Sequence, residues 1–310
     1  MKTNKTKFLN TRKGQMTFYS YVMLALPLIG FFVFSLYPIL WQFKWAFYNY
    51  DQIPSHTRFV GMDNFVRFFT EDFTYWRTWV NTIKYAVIKV PIELCIALFL
   101  ATVINQKCLR GKGFYRAMYY APVVVSSVVV SVIFCNLFGY FGVINNWLSK
   151  LGIIKENIDW FAIPSGSMAV LVISSIWHTF GTNVLYFVAA LANVPEDCYE
   201  SAKLDGANRF QVFFKITLPL IASVFRIILL LSILGTLSIG EFVITLTGGG
   251  PAGSTETVTS YLTQQFVPGF ADTTSPAIGY GCAMSIVTTI LFAIIGLAYS
   301  KLSAKKSNPY

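Results

Sequence analysis

Residues 194–219, VPEDCYESAKLDGANRFQVFFKITLP, form a charged run between two long apolar segments. Pro195 suits the first turn of a helix, because the N–H that it lacks would have no intrahelical partner there. Residues 196–204 are helix-forming, and Asp205-Gly206 can end that helix, since Gly tolerates the left-handed conformation. A second short helix is predicted at residues 208–217. Two amphipathic helices at a bend suit docking into a partner's groove, whereas the simpler interpretation is a solvated connector.

The rest of the chain is strongly apolar. A soluble chain of 310 residues would form about two domains. Here 55% of the residues are hydrophobic and only 12% are charged. That composition is typical of a polytopic membrane protein.

The apolar stretches predict six transmembrane helices and an all-α fold. Each stretch is near the about 20 residues that a helix needs to cross a bilayer, and all are too long and too evenly apolar for barrel strands. The first is longer than the apolar part of a signal peptide and has no clear small-x-small cleavage site, so it is interpreted as a retained span. The predicted spans are residues 19–45, 80–106, 118–139, 168–193, 220–246 and 278–302.

The distribution of Lys and Arg predicts the orientation of these spans. Two thirds of the 24 Lys and Arg residues lie on the side that holds both termini and the 194–219 stretch. By the positive-inside rule that side is cytoplasmic. The predicted organisation is a cytoplasmic segment at residues 1–17, a six-span domain at 18–302 containing the loop 195–219, and a cytoplasmic tail at 303–310. Topology and anionic lipid headgroups account for the net charge of +10, so no nucleic-acid partner is expected.

Motifs of catalysis are absent from the sequence. It has no Gly-x4-Gly-Lys-Ser/Thr phosphate loop, no His-Glu-x-x-His and no Gly-x-Ser-x-Gly. Cys and His residues show no metal-ligand spacing. The sequence therefore predicts no catalytic residue and no metal site, and an ATPase that energised this protein would have to be a separate chain.

Small and polar residues recur on one face of two predicted spans. Such stripes either pack helices together or line a polar pathway. Because both spans flank the 195–219 loop, a pathway is the favoured interpretation. The residues at helical spacing are Ser175, His178, Thr179 and Thr182 in the fourth span, and Ser232, Gly235, Thr236 and Ile239 in the fifth.

Two acids lie at or near membrane depth. Glu93 follows Lys89 by four residues, so the two are predicted to form an ion pair on one helix face. Glu241 follows Gly240 near the outer end of the fifth span, where it can face water or a ligand. A proton relay through such acids would instead indicate a secondary transporter.

The order of residues in the 195–219 loop resembles the coupling loop of ABC importer permeases, Glu-Ala-Ala-x3-Gly-x9-Ile-x-Leu-Pro. Ser201 replaces the first Ala, a small-for-small change. The resemblance extends to the stretches LYPIL at 36–40, FVGMDNF at 59–65 and LTGGGP at 246–251, to Asn81-Thr82 and to Trp177. The matching loop positions, predicted to couple to an ATPase, are Glu200, Ser201, Ala202, Asp205, Gly206, Ile216, Leu218 and Pro219.

This resemblance implies a type I ABC importer permease fold of the maltose and glycerol-phosphate class, in the cell membrane of a prokaryote. The implied partners are a second, similar permease, two ATPase subunits that bind ATP and Mg²⁺, an extracytoplasmic solute-binding protein, a sugar and membrane lipid. No enzyme activity and no cofactor are expected on this chain. Glu200 would pair with a basic residue of the ATPase, and the outer loops at 51–77 and 247–275 would meet the binding protein.

Carrying over the sugar contacts of the maltose permease gives the same eight residues as the two stripes. Several of those contacts differ in kind here, with fewer amide side chains, so the face carries over but the sugar specificity does not. Two alternatives remain open. One is a gradient-driven secondary transporter or channel, and the other is a membrane scaffold that recruits soluble proteins through the loop.

Overall fold

The computed structural model describes residues 12–106, 109–267 and 277–305. Some residues used in the predictions lie outside this part. For the orientation these are 1–11, Lys107 and 306–310, and for the second predicted outer loop they are 268–276. The helices are α1 (Arg12–Phe31), α2 (Tyr37–Trp45), α3 (Asp63–Thr70), α4 (Phe73–Asn105), α5 (Lys112–Val124), α6 (Ser127–Phe138), α7 (Val143–Lys150), α8 (Pro164–Ala192), α9 (Glu196–Leu204), α10 (Arg209–Val212), α11 (Leu218–Leu220), α12 (Ala222–Leu237), α13 (Glu241–Leu246), α14 (Val258–Phe266) and α15 (Ile278–Lys305).

Five helical segments in the described part are long and apolar enough to cross a membrane. A sixth is obtained if the bent pair Arg209–Leu220 and Ala222–Leu237 is one span, in agreement with the six predicted spans. A π-helical turn at Phe32–Leu36 joins α1 and α2. The two short strands, Tyr48–Asn49 and Arg58–Phe59, pair antiparallel beyond the end of α2.

The core is built around α4 and α8. Buried apolar residues of these helices, among them Leu94 on α4 and Phe187 on α8, form one continuous cluster with Ile228 on α12. The start of α4 is fixed by Asp72, whose carboxylate accepts the N–H of Tyr75 at 3.0 Å. The second oxygen of Asp72 accepts the hydroxyls of Tyr261 at 2.8 Å and Tyr280 at 2.7 Å. One carboxylate therefore holds α14 and α15 against α4.

The third span was predicted as one continuous helix at residues 118–139, and this prediction is wrong. Its helix ends at Val124 and a new helix begins at Ser127, with extended backbone at residues 125 and 126. A break inside a membrane requires partners for the backbone groups that it frees. His178 Nε2 donates to the carbonyl oxygen of Val125 at 3.0 Å and supplies one of them.

The predicted fifth span, 220–246, is likewise divided. Its helix ends at Leu237 and α13 begins at Glu241. Thr257 donates to the carbonyl oxygen of Ile239 at 2.7 Å, which satisfies an acceptor freed by the break. A Cβ on Gly240 would lie 2.8 Å from the methyl carbon of Thr259, so only Gly allows this close approach. The chain also bends by 73° between the helical segment Arg209–Leu220 and α12.

The segment that follows the glycine-rich stretch 246–251 contacts the second span near its start. Asn81 donates to the carbonyl oxygens of Gly253 at 2.9 Å and Glu256 at 3.1 Å. Gly248 and Gly249 have φ of 59° and 82°, in the region that favours glycine. Burial raises the pKa of Glu256, and a hydrogen bond from Gln264 opposes that shift. These contacts hold a structured loop beside the N-terminal part of α4.

The first helix contributes little to this core. In the most apolar window of residues 15–45, no residue is buried. Its C-terminal part, α2, packs against α15, where Gln42 donates to the carbonyl oxygen of Cys282 at 3.5 Å. The apolar surface of α1 is thus left for lipid or for another protein.

Candidate functional site

A cavity of about 240 Å³ lies where the two broken helices meet. Helices α4, α6, α8 and α12 and the break before α13 line it. Irregular backbone at membrane depth is tolerated where it lines a cavity, and broken helices often surround the binding sites of transporters. The lining residues are Tyr85, Lys89, Ser127, Ser175, His178, Thr179, Gly235, Thr236, Ser238, Ile239, Gly240, Glu241 and Phe242.

Six of the eight predicted pathway residues line this cavity. They come from α8, from α12 and, for Ile239, from the break that follows α12. The six are Ser175, His178, Thr179, Gly235, Thr236 and Ile239. The structure thus brings the two stripes together, and the role of these residues as substrate contacts stays a prediction.

Thr182 and Ser232, the other two predicted residues, do not line the cavity. Thr182 is half-buried on α8. Ser232 donates to Asn183 Oδ1 at 3.3 Å, on the side of the cavity that faces the 195–219 loop. Ser232 therefore joins two helices through a side-chain contact.

A buried ion pair lies at the edge of the cavity, to whose lining Lys89 contributes. Lys89 Nζ is 2.9 Å from Glu93 Oε2, both side chains are buried, and the predicted pair is confirmed. The two atoms are close but not aligned as a hydrogen bond. The other carboxylate oxygen, Glu93 Oε1, accepts from Thr179 at 2.8 Å and from Asn183 at 3.0 Å. Lys89 also donates to Thr236 at 3.3 Å, so the cluster ties α4 to both α8 and α12.

Several lining residues were not predicted from the sequence. The Tyr85 hydroxyl donates to Ser175 Oγ at 2.7 Å. Ser127, at the start of α6, donates to Glu241 Oε1 at 2.8 Å. Glu241 was interpreted as facing water or a ligand, and the structure places it on the cavity wall. Two local features of the sequence could have indicated these lining residues: the paired serines at 126–127 inside an apolar run and the glycine before Glu241.

The 195–219 loop has the predicted helices. The helix at Glu196–Leu204 is confirmed, and Gly206 has φ of +72° where the chain turns. The second helix begins with a capping box between Asn208 and Gln211 and continues through a π-helical turn at Phe213–Thr217. The chain therefore forms two helices at a bend, as the sequence indicated.

This loop exposes both charge and apolar surface. Glu200 is exposed on α9, whereas Ala202 is buried. Leu204, Phe210 and Phe214 are 88%, 78% and 61% exposed. Of the other predicted coupling residues, Ser201, Asp205, Gly206 and Pro219 are exposed, and Ile216 and Leu218 are half-buried. A loop that exposes an acid and three large apolar side chains offers a surface for a protein partner.

Residues 93–304 match the family model described as binding-protein-dependent transport system inner membrane component. The chain belongs to this family. The match includes both broken helices, the 195–219 loop and most residues that line the cavity. The site described above therefore lies mainly within the part of this permease that defines the family.

The permease is similar to curated proteins along nearly its whole length. It is 34% identical over 280 residues to the lactose transport system permease protein LacF of Rhizobium radiobacter, covering 89% of this chain and 90% of that one. It is 32% identical over 301 residues to the probable ABC transporter permease protein YesP of Bacillus subtilis, covering 96% and 94%. The arabinooligosaccharides transport system permease protein AraP of Bacillus subtilis is 33% identical, with coverage of 91% and 88%.

The fold of the permease matches that of a solved transporter chain. A chain from a bacterial ABC transporter involved in import of the acidic polysaccharide alginate superposes with a TM-score of 0.80, at 24% identity, covering 94% of the permease and 96% of that chain. The predicted fold class, an all-α polytopic membrane protein with the type I ABC importer permease fold, is confirmed.

Proposed function

We propose that this permease is one membrane subunit of an ATP-driven, binding-protein-dependent importer that carries a carbohydrate, specifically an oligosaccharide, into the cytoplasm. The observation that carries the proposal is the cavity between the two broken helices. Hydroxyls, an imidazole and a carboxylate line it, and such groups hydrogen-bond the hydroxyls of a sugar. The names of relatives that transport lactose and arabinooligosaccharides support the same substrate class.

Two exposed surfaces support the proposed partners in the membrane and below it. The unburied apolar first helix suits packing against a second, similar permease. The 195–219 loop suits the cleft of an ATPase subunit, where ATP and Mg²⁺ would bind, so this chain itself needs no cofactor. The coupling residues are those predicted from the sequence, from Glu200 to Pro219. Both termini and this loop would face the cytoplasm, following the distribution of Lys and Arg.

The outer loops are the proposed docking surface for the solute-binding protein. Asn64 donates to the carbonyl oxygens of Ala46 and Tyr48, at 2.9 and 3.0 Å, and so fixes the loop after α2. The loop held by Asn81 lies at the start of the same span, α4, at its outer end. Binding of a loaded protein here would reach the cavity through the break before α13.

The proposed cycle connects the loop to the cavity through rigid helices. Closure of the ATPase dimer would move the docked loop, and α8 and α12, which flank it, would move with it. Because these helices carry the two faces of the cavity, their relative motion would alternate its access.

The function is tested by ATP hydrolysis of the tagged complex in lipid, with its binding protein, across a panel of oligosaccharides and glycerol phosphates. We expect an ATPase to co-purify and one class of sugar to stimulate it. If no ATPase follows the tag and uptake depends on an ion gradient, the alternative of a secondary transporter replaces this proposal. Partner binding without any solute dependence would indicate a scaffold.

Replacing Gly235 by Trp should block passage. Gly235 lines the cavity, and a Cβ there meets no atom within 4 Å, so a new side chain starts in open space and its indole would occupy the cavity. We expect uptake to fall to background while the complex assembles and hydrolyses ATP. Gly235→Ala is the matched control, because it adds one methyl group in open space and should retain uptake. Normal uptake by Gly235→Trp would remove the cavity from the pathway.

A further inference from the structure

The charges around the cavity are unevenly compensated. Lys89 is paired with Glu93, whose second oxygen is held by Thr179 and Asn183. That pair adds no net charge to the lining. Glu241, by contrast, receives one hydrogen bond, from the uncharged hydroxyl of Ser127.

Within residues 12–106, 109–267 and 277–305, no Lys, Arg or His nitrogen lies within 4.0 Å of either Glu241 oxygen. Besides Lys89 and Glu241, the wall carries two titratable side chains, His178 and Tyr85. His178 directs Nε2 at the carbonyl oxygen of Val125 and stacks its ring on Phe242. Tyr85 directs its hydroxyl at Ser175. Among the described residues of the lining, Glu241 is therefore the carboxylate that has no basic side chain within 4.0 Å.

We propose that Glu241 is a specificity-determining residue that makes the cavity select uncharged, hydroxyl-rich sugars and reject anionic solutes such as uronates and glycerol phosphates. This inference rests on the proposed function, since it concerns which solutes the same cavity accepts. Glu241 Oε2 can accept a hydrogen bond from a sugar hydroxyl, and hydrogen bonds to a charged acceptor are the stronger kind. A carboxylate or phosphate in the cavity meets a like charge, and this repulsion discriminates between partners.

The surroundings of Glu241 favour this discrimination. The residue begins α13, beside the broken backbone at 238–240, and faces a cavity with walls of apolar atoms as well as hydroxyls. The Glu241 side chain is exposed, so a solute that enters the cavity can reach it, and salt screens part of the charge interaction. The cavity volume of about 240 Å³ is below the about 300–1,000 Å³ of pockets that enclose a whole drug-sized ligand. It accommodates one part of an oligosaccharide at a time, so a single charged sugar unit is enough for rejection.

The test measures equilibrium binding to the complete permease–ATPase complex in lipid nanodiscs, without the binding protein, whose own selectivity would otherwise enter. The probes are lactose, maltose and arabinotriose, each beside the analogue in which a carboxylate replaces one hydroxymethyl group. We expect the bound neutral sugar to be preferred over its analogue by at least about tenfold. Glu241→Gln should remove most of that preference while keeping an oxygen for Ser127, and Glu241→Lys should reverse it.

The matched control is Glu156→Gln, which removes one exposed carboxylate from the loop after α7 and should leave the preference unchanged. Equal binding of the neutral and anionic probes by the wild type would overturn the inference. So would an unchanged ratio in Glu241→Gln, because a residue that only anchors α13 alters the binding of both probes equally. If no probe of either charge binds, and none stimulates ATP hydrolysis when the binding protein is added, the proposed carbohydrate function itself fails, and that result differs from a failure of selectivity alone.

Discussion

Glu200→Lys is expected to abolish ATP-driven uptake while the permease still inserts into the membrane. Glu200 is exposed on α9, one helical turn before the exposed side chain of Leu204. An acid at the centre of a docking surface pairs with a base on the partner, and reversing its charge places two like charges together, which costs several kcal/mol. Uptake and solute-stimulated ATP hydrolysis in proteoliposomes measure the loss.

Two further variants separate coupling from folding. Glu200→Gln removes the charge without reversing it and should reduce uptake less than Glu200→Lys does. Glu156→Lys makes the same reversal in an exposed loop far along the chain from α9 and should keep ATPase subunits attached. Normal transport by Glu200→Lys would show that the coupling role of Glu200 is wrong. The same conclusion would follow if Glu156→Lys lost as much uptake and as much bound ATPase as Glu200→Lys.

The sequence predicted the 195–219 loop well because its structure is set by neighbours along the chain. Helix-forming residues at 196–204 end at Asp205, and Gly206 then takes the left-handed conformation that such an ending needs. The cap between Asn208 and Gln211 spans three residues. Interactions of this range are visible in a sequence.

The two broken spans could not be predicted in the same way. The break at 125–126 is stabilised by His178, which lies 53 positions away in the chain. The break at 238–240 depends on Thr257, 18 positions away, and on the close approach of Thr259 to Gly240. Long apolar runs flank both breaks, and the interruptions, Ser126-Ser127 and residues 238–241, are too short to lower the averaged hydropathy, so hydropathy alone indicates unbroken helices.

Only part of the cavity lining could be predicted from the sequence. Its walls on α8 and α12 carry small and polar residues at helical spacing, which a sequence reveals. The wall from α4 does not, because Tyr85 and Lys89 stand in a helix that is apolar on most sides. Only packing against α8 and α12 decides which face of α4 turns inward.

Lys89→Met is expected to destabilise the permease strongly. It leaves Glu93 as a buried carboxylate whose remaining partners, Thr179 and Asn183, are uncharged. Removing one member of a buried ion pair costs about 3–5 kcal/mol. The loss should appear as a lower midpoint in thermal unfolding of the purified complex and as a lower yield from the membrane.

The double variant Lys89→Met with Glu93→Gln gives the decisive comparison. The amide oxygen that Glu93→Gln introduces would still accept from Thr179 and Asn183, yet no charge would remain in the cluster. Because replacing both members of a buried pair by neutral groups is often nearly neutral in stability, the double variant should recover most of the thermal midpoint. A single variant as stable as the wild type would mean that Lys89 does not stabilise Glu93. A double variant as unstable as Lys89→Met would mean that the lysine stem, and not the charge, holds α4 against α12.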